Sequence, residues 1–466
     1  MPAINCISDE IIYGTPEGVA RWLQQGAEVN ELDAYGFTPL IQTAIVNNLK
    51  MATLVLQHGA DVNVADLTGR TALHWAADNN NDALCRMLLE HKANPNAYTL
   101  ASQPVLVSPL LRDHKRLKQL LYDYKADLNF AQDFIYAKLL GHRYELQGYV
   151  DIVNSDGQFI ALDFSGFYLE FTLSAIQHSL KRYQNNFASR EMRGYFKYLK
   201  QIMRTLEVSA ELIRYQHYLV DLAEHQVRIN TLLSADPLII PITYEGHAIT
   251  LVKYGQLIAR CDRGEQGRID GSVVIYRMNH PQAFTRELFK NLIYKKQSRE
   301  FINKELIDVL GLHRLKTLPI PPQVTGNCSW ANVEACIPAL LYMLQMREPK
   351  KNIDLSQLER SSMFVYQHWL EWEREMALHE CVERFEDASP ARKASIITIL
   401  AALIYQNAEA FLHHDLDQAN KIMPLLIIPE YQYILKSYVQ AYGQLFNDAK
   451  NKAFMDLLDI CGAYVR

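Results

Sequence analysis

The chain lacks several features that would point directly to a function. Its 7 cysteines, at positions 6, 85, 261, 328, 336, 381 and 461, are odd in number and have no paired spacing. This favours a reducing compartment over a disulfide-linked fold. The sequence contains no glycine-rich phosphate loop and no zinc-finger spacing, so we expect no cofactor and no metal site.

Charge and hydropathy argue against further classes of protein. The formal net charge of -5 at pH 7 argues against a surface that generally binds nucleic acid. Apolar runs such as residues 237–241 and 425–428 are far too short to span a bilayer. Residues 1–11 lack the apolar core of a signal peptide. We therefore expect a soluble protein with no clear binding to nucleic acid or membrane.

An internal repeat occupies the first third of the chain. Four-residue motifs that end in asparagine recur at a constant spacing of 33 residues, at positions 27–30, 60–63, 93–96 and 126–129. Between them lie Gly36-Phe37-Thr38-Pro39-Leu40 and Gly69-Arg70-Thr71-Ala72-Leu73-His74. This is the pattern of ankyrin repeats, in which a hairpin precedes two helices. We predict about four repeats, with a degenerate first repeat and a fourth that has a longer hairpin or a poor helix start around residues 102–111.

The rest of the chain mixes predicted strands and helices. Residues 144–153 and 158–164 are typical of a hairpin closed by Asn154-Ser155-Asp156-Gly157. Helical periodicity dominates residues 171–233, and helices are again predicted over residues 282–310 and from residue 361 to the end. Four further strands are predicted between the first two helical regions, at residues 238–243, 248–254, 257–261 and 272–277.

One loop has the features that activate a cysteine. Pro321 and Pro322 favour an extended backbone, and Cys328 follows at or near the first turn of an apolar helix. Unpaired N–H groups and the helix dipole favour a thiolate there. Gln323, five residues before the cysteine, can aim its side-chain amide at an oxyanion formed beside the sulfur. The alternative interpretation of Cys328 is an inert core cysteine.

A cysteine nucleophile needs a general base, and the base needs an orienting group. His247 opens a predicted strand after Gly246, and Asp262 follows the next strand. If Gly255 and Gln256 form a two-residue turn, His247 and Asp262 become diagonal neighbours on one face of the hairpin. Such neighbours are about 7–8 Å apart at the backbone and within side-chain reach. We predict that Asp262 orients His247 and supports its charged form.

The stretch Gly326-Asn327-Cys328-Ser329-Trp330, with a loop glutamine before it, resembles the nucleophile loop of papain-like cysteine proteases. This resemblance implies that Cys328 attacks a peptide or isopeptide carbonyl and that His247 shuttles the proton. It further implies that Asp262 orients His247, and that Gln323 stabilises the oxyanion together with the N–H of Cys328. Papain-like enzymes place the cysteine first along the chain, whereas here the order is His, Asp, Cys. We interpret this order as a circular permutation, because triads are defined by geometry.

A second resemblance covers the whole chain. Ankyrin repeats followed by Gly246-His247-Ala248-Ile249-Thr250, Cys261-Asp262-Arg263-Gly264 and the Cys328 motif resemble the ankyrin-repeat effectors that Legionella injects into host cells. The resemblance implies type IV secretion into a eukaryotic host, with host proteins bound through the repeats. It also implies action in the host cytoplasm, the nucleus or both.

These patterns predict a multidomain α+β protein. Residues 1–135 would form the ankyrin-repeat solenoid, residues 136–350 a permuted papain-like, cysteine-protease-like domain, and residues 351–466 a helical carboxy-terminal region. Two alternatives stay open for the function. The first is a non-catalytic adaptor whose dormant protease-like fold serves as a second docking surface. The second is a thiol acyltransferase or deamidase that uses the same triad.

Two further features give weaker signals. His413-His414-Asp415-Leu416-Asp417 holds metal-donor side chains at a helix end but lacks a second ligand group. Residues 181–204 contain seven basic side chains against the single acid Glu191. That stretch is typical of a solvated helix face, and the alternative is a contact for an acidic partner.

Overall fold

A computed structural model describes residues 6–217, 220–324, 326–348, 354–442 and 448–463. The chain forms two compact units. Unit 1 contains Met1–Leu139, Tyr149–Asp163 and Val382–Arg466, and unit 2 contains Leu140–Gly148 and Phe164–Cys381. This division into compact units differs from the predicted domains, residues 1–135, 136–350 and 351–466. The domain boundaries themselves stay a prediction. The predicted boundary between residues 350 and 351 lies outside the described residues, as does Thr325 of the nucleophile loop.

Four helix pairs occupy the predicted ankyrin repeats in unit 1. The asparagine that ends each repeat motif joins it to the next repeat: Asn30, Asn63 and Asn96 each accept the backbone N–H of the residue 31 positions further on, at 2.6 to 2.8 Å. Asn63 also donates to the carbonyl of Lys92 at 3.2 Å. The pairs are α1 (Ile7–Tyr13) and α2 (Pro16–Gln24), α3 (Pro39–Ile45) and α4 (Leu49–Gln57), α5 (Ala72–Asp78) and α6 (Asp82–Glu90), and α7 (Val107–Leu111) and α8 (Lys115–Asp123).

The fourth repeat departs from the pattern at its first helix. Leu106 precedes α7 and makes no side-chain cap, whereas Thr38 before α3 accepts the N–H of Ile41 at 3.2 Å. A hydroxyl, carboxylate or amide at this position satisfies a helix N–H that a leucine cannot. Ser102 stands where Gly36 and Gly69 stand in earlier repeats and has a φ of 62°. The fourth repeat therefore has the poor helix start that was one of the two predicted forms.

Helix α9 (Leu128–Arg143) follows the repeats, and the predicted hairpin comes next. Strands β1 (Tyr149–Val153) and β2 (Phe159–Asp163) pair antiparallel on either side of the predicted turn. The first strand begins at Tyr149 rather than at residue 144, because α9 runs on to Arg143 and Gly148 then reverses the backbone with a φ of 74°. The hairpin itself is confirmed.

A five-stranded antiparallel sheet forms the centre of unit 2. Its strands lie in chain order, so each pairs with the strand before it. They are β3 (Leu238–Tyr244), β4 (His247–Tyr254), β5 (Leu257–Cys261), β6 (Val273–Met278) and β7 (Leu312–Leu318). Tyr254 pairs with Leu257 and Thr250 with Cys261, and Gly255 has a φ of 56°. The register predicted from a Gly255-Gln256 turn is thus confirmed.

Strand β7 was missed by the sequence analysis. It lies at the edge of the sheet, and its centre is His313-Arg314-Leu315-Lys316-Thr317. Charged side chains are common on edge strands because they prevent further pairing, and they hide the apolar alternation by which strands are recognised. The prediction of helices up to residue 310 was correct at that end, since the helical segments stop at Leu310.

Helices cover the sheet and fill the rest of unit 2. Helix α16 (Cys328–Glu334) packs against β4, and α11 (Phe196–Arg214) packs against β3. The helices after the hairpin are α10 (Leu169–Asn185), α11 (Phe196–Arg214), α12 (Gln226–Leu232), α13 (Glu265–Asp270), α14 (Arg286–Tyr294), α15 (Leu306–Leu310), α16 (Cys328–Glu334) and α17 (Cys336–Met346). Shorter turns are the 3₁₀ segments Phe187–Tyr195 and Pro281–Ala283 and the π segment Phe301–Glu305.

The carboxy-terminal region is helical, as predicted. No single described helix is long and apolar enough to cross a membrane. Two consecutive helices, Pro390–Gln406 and Ala408–His414, are long and apolar enough only when taken together, and a 73° bend separates them. The helices are α18 (Leu355–Glu386), α19 (Pro390–Gln406), α20 (Ala408–His414), α21 (Leu416–Leu426), α22 (Gln432–Tyr442) and α23 (Ala449–Ile460). The fold class is thus confirmed at the level of ankyrin repeats, a mixed α and β region and carboxy-terminal helices.

Removing one of the asparagines that link neighbouring repeats should lower the stability of the repeat region. Asn63→Ala removes two hydrogen bonds between neighbouring repeats, so the free energy of unfolding should fall by about 1–3 kcal/mol. The measurement is the midpoint of the first urea transition of the full chain. Glu31→Ala is the control, because Glu31 is exposed and makes no side-chain hydrogen bond with the described residues. Equal midpoints for the two variants would contradict the role given to the asparagines.

Candidate active site

A tight hairpin turn places His247 at the first position of β4. Tyr244 at the end of β3 pairs with His247 across Glu245 and Gly246, whose φ angles are 47° and 77°. Positive φ at both central residues is the pattern of a type I′ turn, which suits the twist of the flanking strands. The imidazole is three-quarters buried and meets the Tyr244 ring edge-on at 5.6 Å between centroids. The strand geometry thus fixes where the imidazole lies.

Asp262 follows directly after β5 and contacts the imidazole. Its Oδ1 lies 3.0 Å from Nε2 of His247, and the carboxylate side chain is fully buried. The same oxygen accepts the N–H of Gly264 at 2.9 Å. Gly264 has no room for a side chain, because an added Cβ would lie 2.6 Å from Cε1 of His247. The sequence analysis did not identify Gly264, although it stands in the quoted Cys-Asp-Arg-Gly motif.

Cys328 is the first residue of α16, as the sequence predicts. Asn327 before it does not cap the helix, since its side chain instead meets His142, through Oδ1 to Nδ1 at 2.5 Å and through Nδ2 to the carbonyl at 3.2 Å. The Asn327 amide therefore does not occupy the N–H groups at the start of α16. Among the described residues, the N–H of Cys328 has no acceptor.

The cysteine and the histidine change each other's pKa. Burial opposes the thiolate, but a hydrogen bond from His247, backbone hydrogen bonds from Ala248 and Ser329 and the imidazolium charge hold the pKa of Cys328 below its usual range. Burial also opposes the imidazolium, yet hydrogen bonds to Asp262 and Cys328 raise the pKa of His247 to about 9. Because Nε2 faces Asp262, Nδ1 is the ring nitrogen left for the sulfur. The two groups therefore stabilise each other in their charged forms, thiolate and imidazolium.

Gln323 lines the same cleft as Cys328 and His247. Its N–H donates to the carbonyl of Arg263 at 2.8 Å, which fixes the backbone of the loop. The side chain is nearly buried, and its Oε1 has no hydrogen-bond partner among the described residues. A side-chain amide held at the cleft in this way can stabilise an oxyanion beside the sulfur.

A buried polar network supports the loop and the helix from behind. Arg263 is 3% exposed at its side chain and pairs with Glu145 at 2.7 Å, while its Nε donates to the carbonyl of Pro321 at 2.9 Å. Glu334 on α16 accepts from Trp330 at 3.1 Å and from Tyr366 at 2.7 Å. Burial raises the pKa of Glu334 against the opposing charge of Arg263. The sequence analysis missed this network, although Glu334 is a single acid in an apolar helix.

The cleft around these side chains has a volume of about 510 Å³. Its rim is charged: Glu265 pairs with Arg299 at 2.7 Å, and Arg268 approaches the carbonyl of Gln323 at 3.5 Å. The exposed side chain of Ile269 also lines it. The structure therefore gathers Cys328, His247 and Gln323 in one open cleft, with Asp262 buried directly behind the imidazole.

The weaker sequence signals lie elsewhere. His413 and His414 are exposed at the end of α20, and no group of three or more possible metal ligands occurs within the described ranges. In the basic stretch 181–204, two of the seven cations form ion pairs, Arg182 with Glu380 and Lys197 with Glu348. The stretch remains open as a solvated face or a contact for an acidic partner.

The fold and the cleft define a class of protein: one with ankyrin repeats and a unit whose cleft holds a cysteine and a histidine, with an aspartate bonded to the imidazole. The model of the ankyrin-repeat family matches three copies over residues 10–99. A solved structure of the Legionella effector AnkH is 42% identical, with a TM-score of 0.81, and the match covers 98% of this chain and 98% of that chain.

The chain therefore belongs to the family of the Legionella effector AnkH. The expected resemblance to Legionella ankyrin-repeat effectors is confirmed on this comparison. No curated protein sequence matches the chain.

The shifted pKa values predict how Cys328 reacts as a function of pH. Its thiolate should persist below the pKa of about 8.5 typical of a free thiol, and reactivity should fall only as the pH drops through the lowered pKa. The imidazolium supports the thiolate until His247 loses its proton near pH 9. Iodoacetamide labelling, followed by peptide mass mapping from pH 5 to 10, measures this dependence.

His247→Ala should move the inflection of Cys328 labelling up towards that of an ordinary thiol. Cys6, which is exposed, serves as the internal standard in every sample because it lies outside the cleft. An inflection near pH 8.5 in the unmodified chain, unchanged by the substitution, would show that the pair does not form.

Proposed function

We propose that this chain is an effector that binds host proteins through its ankyrin repeats and carries a permuted papain-like, cysteine-dependent hydrolase site. The proposal rests on one observation, the arrangement of Asp262, His247 and Cys328 at the cleft. Asp262 lies 3.0 Å from Nε2 of His247, and the imidazole shares a cleft with Cys328, the first residue of a helix, and lowers the pKa of its thiol. A structural core cysteine would need neither a buried acid nor an imidazole beside it.

The proposed reaction begins with the thiolate–imidazolium pair. The Cys328 sulfur attacks the carbonyl carbon of a peptide or isopeptide bond, and the carbonyl oxygen becomes an oxyanion beside Gln323 and the N–H of Cys328. The imidazolium of His247 gives its Nδ1 proton to the leaving nitrogen, so an amine departs and a thioester remains. Water then loses a proton to Nδ1 as it attacks the thioester, which releases a carboxylic acid and restores the thiolate. Asp262 holds the ring through both steps.

Two other reactions would use the same site, and a non-catalytic role is the third alternative. An acyltransferase would pass the thioester to an amine rather than to water, and a deamidase would release ammonia from a side-chain amide. Both keep the roles given to Cys328, His247 and Asp262. A dormant adaptor would keep the fold without needing a reactive sulfur. The lowered pKa of the Cys328 thiol and the open cleft favour a catalytic site over this adaptor.

The repeats form the proposed docking surface for a host protein. The hairpin tips expose large apolar side chains: Tyr35 is 75%, Leu67 69% and Leu100 80% exposed. Leu67 and Leu100 occupy the same repeat position, 33 residues apart, and Tyr35 lies one position further along its own tip, so the three offer a row of contacts for a protein partner. Because the family relative is a Legionella effector, we infer translocation into the host cell, with the cytoplasm and the nucleus both open as sites of action.

The proposed role of Asp262 is tested by a near-isosteric change. In Asp262→Asn the rate of Cys328 labelling by a peptidyl acyloxymethyl ketone should fall by orders of magnitude, up to about 10⁴-fold by analogy with serine proteases. An asparagine that still orients the ring would give a smaller loss. Labelling rates and thermal unfolding are measured on the same samples.

Asp270→Asn is the matched control, because Asp270 pairs with Arg260 and does not line the cleft. Asp262→Asn should slow labelling far more than this control does. If Asp262 acts only in its turn, the variant should lose about 1 kcal/mol of stability and label at the normal rate. That outcome would leave His247 without its proposed partner.

Binding through the repeats should be separable from the chemistry. Capture of partners from host-cell lysate by the full chain should survive Cys328→Ala but be lost in a Tyr35→Ala, Leu67→Ala double variant. Val227→Ala is the control, since Val227 is 83% exposed and lies in unit 2. Equal capture by the double variant and the control would refute the repeats as the docking surface.

A further inference from the structure

Asn332 is a fully buried amide on the helix that carries the nucleophile. It lies four residues after Cys328 on α16, so both side chains occupy the same side of the helix. Its exposed fraction is 0%. A buried amide needs partners for both its oxygen and its N–H groups, because an unpaired polar group in the core is costly.

Both partners of Asn332 are backbone groups next to the proposed triad. Its Oδ1 accepts the N–H of Arg263 at 2.7 Å, and its Nδ2 donates to the carbonyl of Ala248 at 2.6 Å. Arg263 is the residue after Asp262, and Ala248 is the residue after His247. One side chain thus joins the helix of the cysteine to the strand of the base and to the loop of the acid.

Two other polar side chains of α16 bond in other directions, and Glu334 pairs with the guanidinium of Arg263 at 3.7 Å rather than with its backbone. Trp330 donates to Glu334 on the same helix at 3.1 Å, and Ser329 accepts the N–H of Phe167 at 3.1 Å. Neither reaches the residues that flank His247 or Asp262. The asparagine amide can accept one backbone N–H through its oxygen and donate to one backbone carbonyl through its nitrogen. A carboxylate would only accept, and a leucine would do neither.

We infer that Asn332 is a positioning residue that sets the distance between the Cys328 sulfur and the His247 imidazole. The inference rests on the proposed function, because it concerns the thiolate–imidazolium pair of that site. The backbone of Ala248 is also one of the groups that lower the pKa of the Cys328 thiol. Loss of the amide would therefore loosen the strand that bears both the imidazole and this backbone contact.

The test compares Cys328 labelling by iodoacetamide from pH 5 to 10 in the full chain and its variants. Asn332→Ala removes both hydrogen bonds. Asn332→Ser is the second variant, because serine can bond to its own helix while being too short to hold both backbone groups. Ser209→Ala is the control: it removes a buried hydrogen bond from Ser209 on α11 to the carbonyl of Ile239 on β3, in the same unit but away from the triad.

Both Asn332 variants should move the inflection of labelling up towards the ordinary thiol value of about 8.5, with a loss of rate at pH 6 of about tenfold or more. Ser209→Ala should lower the melting temperature and leave the inflection in place. If the unmodified chain and a folded Asn332 variant share the same low inflection, the inference is overturned while the proposed function stands. An ordinary inflection in the unmodified chain would instead overturn both.

Discussion

The hydrogen bond between Asp262 and His247 is the contact on which the candidate site depends. It joins the end of one strand to the start of its neighbour at 3.0 Å, and the carboxylate has no exposed surface. A buried acid stabilises the charged imidazole strongly, because water does not screen the interaction. That charge in turn lowers the pKa of the Cys328 thiol. Without the aspartate, burial would favour the neutral forms of both groups.

Neighbouring residues hold the strand ends and the loop in the positions that this contact requires. Gly264 lets the backbone approach the imidazole where no side chain would fit. Arg263 holds the proline loop through Pro321 and Gln323, and its own charge is balanced by Glu145. Buried ion pairs of this kind are weak contributors to net stability but are costly to break. We therefore interpret the network as one that holds the proline loop and the end of the strand in position.

Local sequence patterns predicted much of the fold and part of the site. The repeats follow from a spacing of 33, and the β4–β5 register follows from one glycine turn, because hairpins are set by adjacent residues. Strand β7 was missed because its edge position allows charged residues. The contacts of Asn332 span 69 and 84 residues. No local sequence pattern indicates contacts between residues so far apart, so the role of Asn332 was not predicted from the sequence.

The most direct measurement of the central claim is neutron diffraction from a crystal of the full chain at pH 7 in deuterated solvent. Deuterium positions show which atoms carry exchangeable protons, which X-ray data at ordinary resolution do not. We expect deuterium on both ring nitrogens of His247 and none on the sulfur of Cys328. Deuterium on the sulfur together with only one on the imidazole would contradict it.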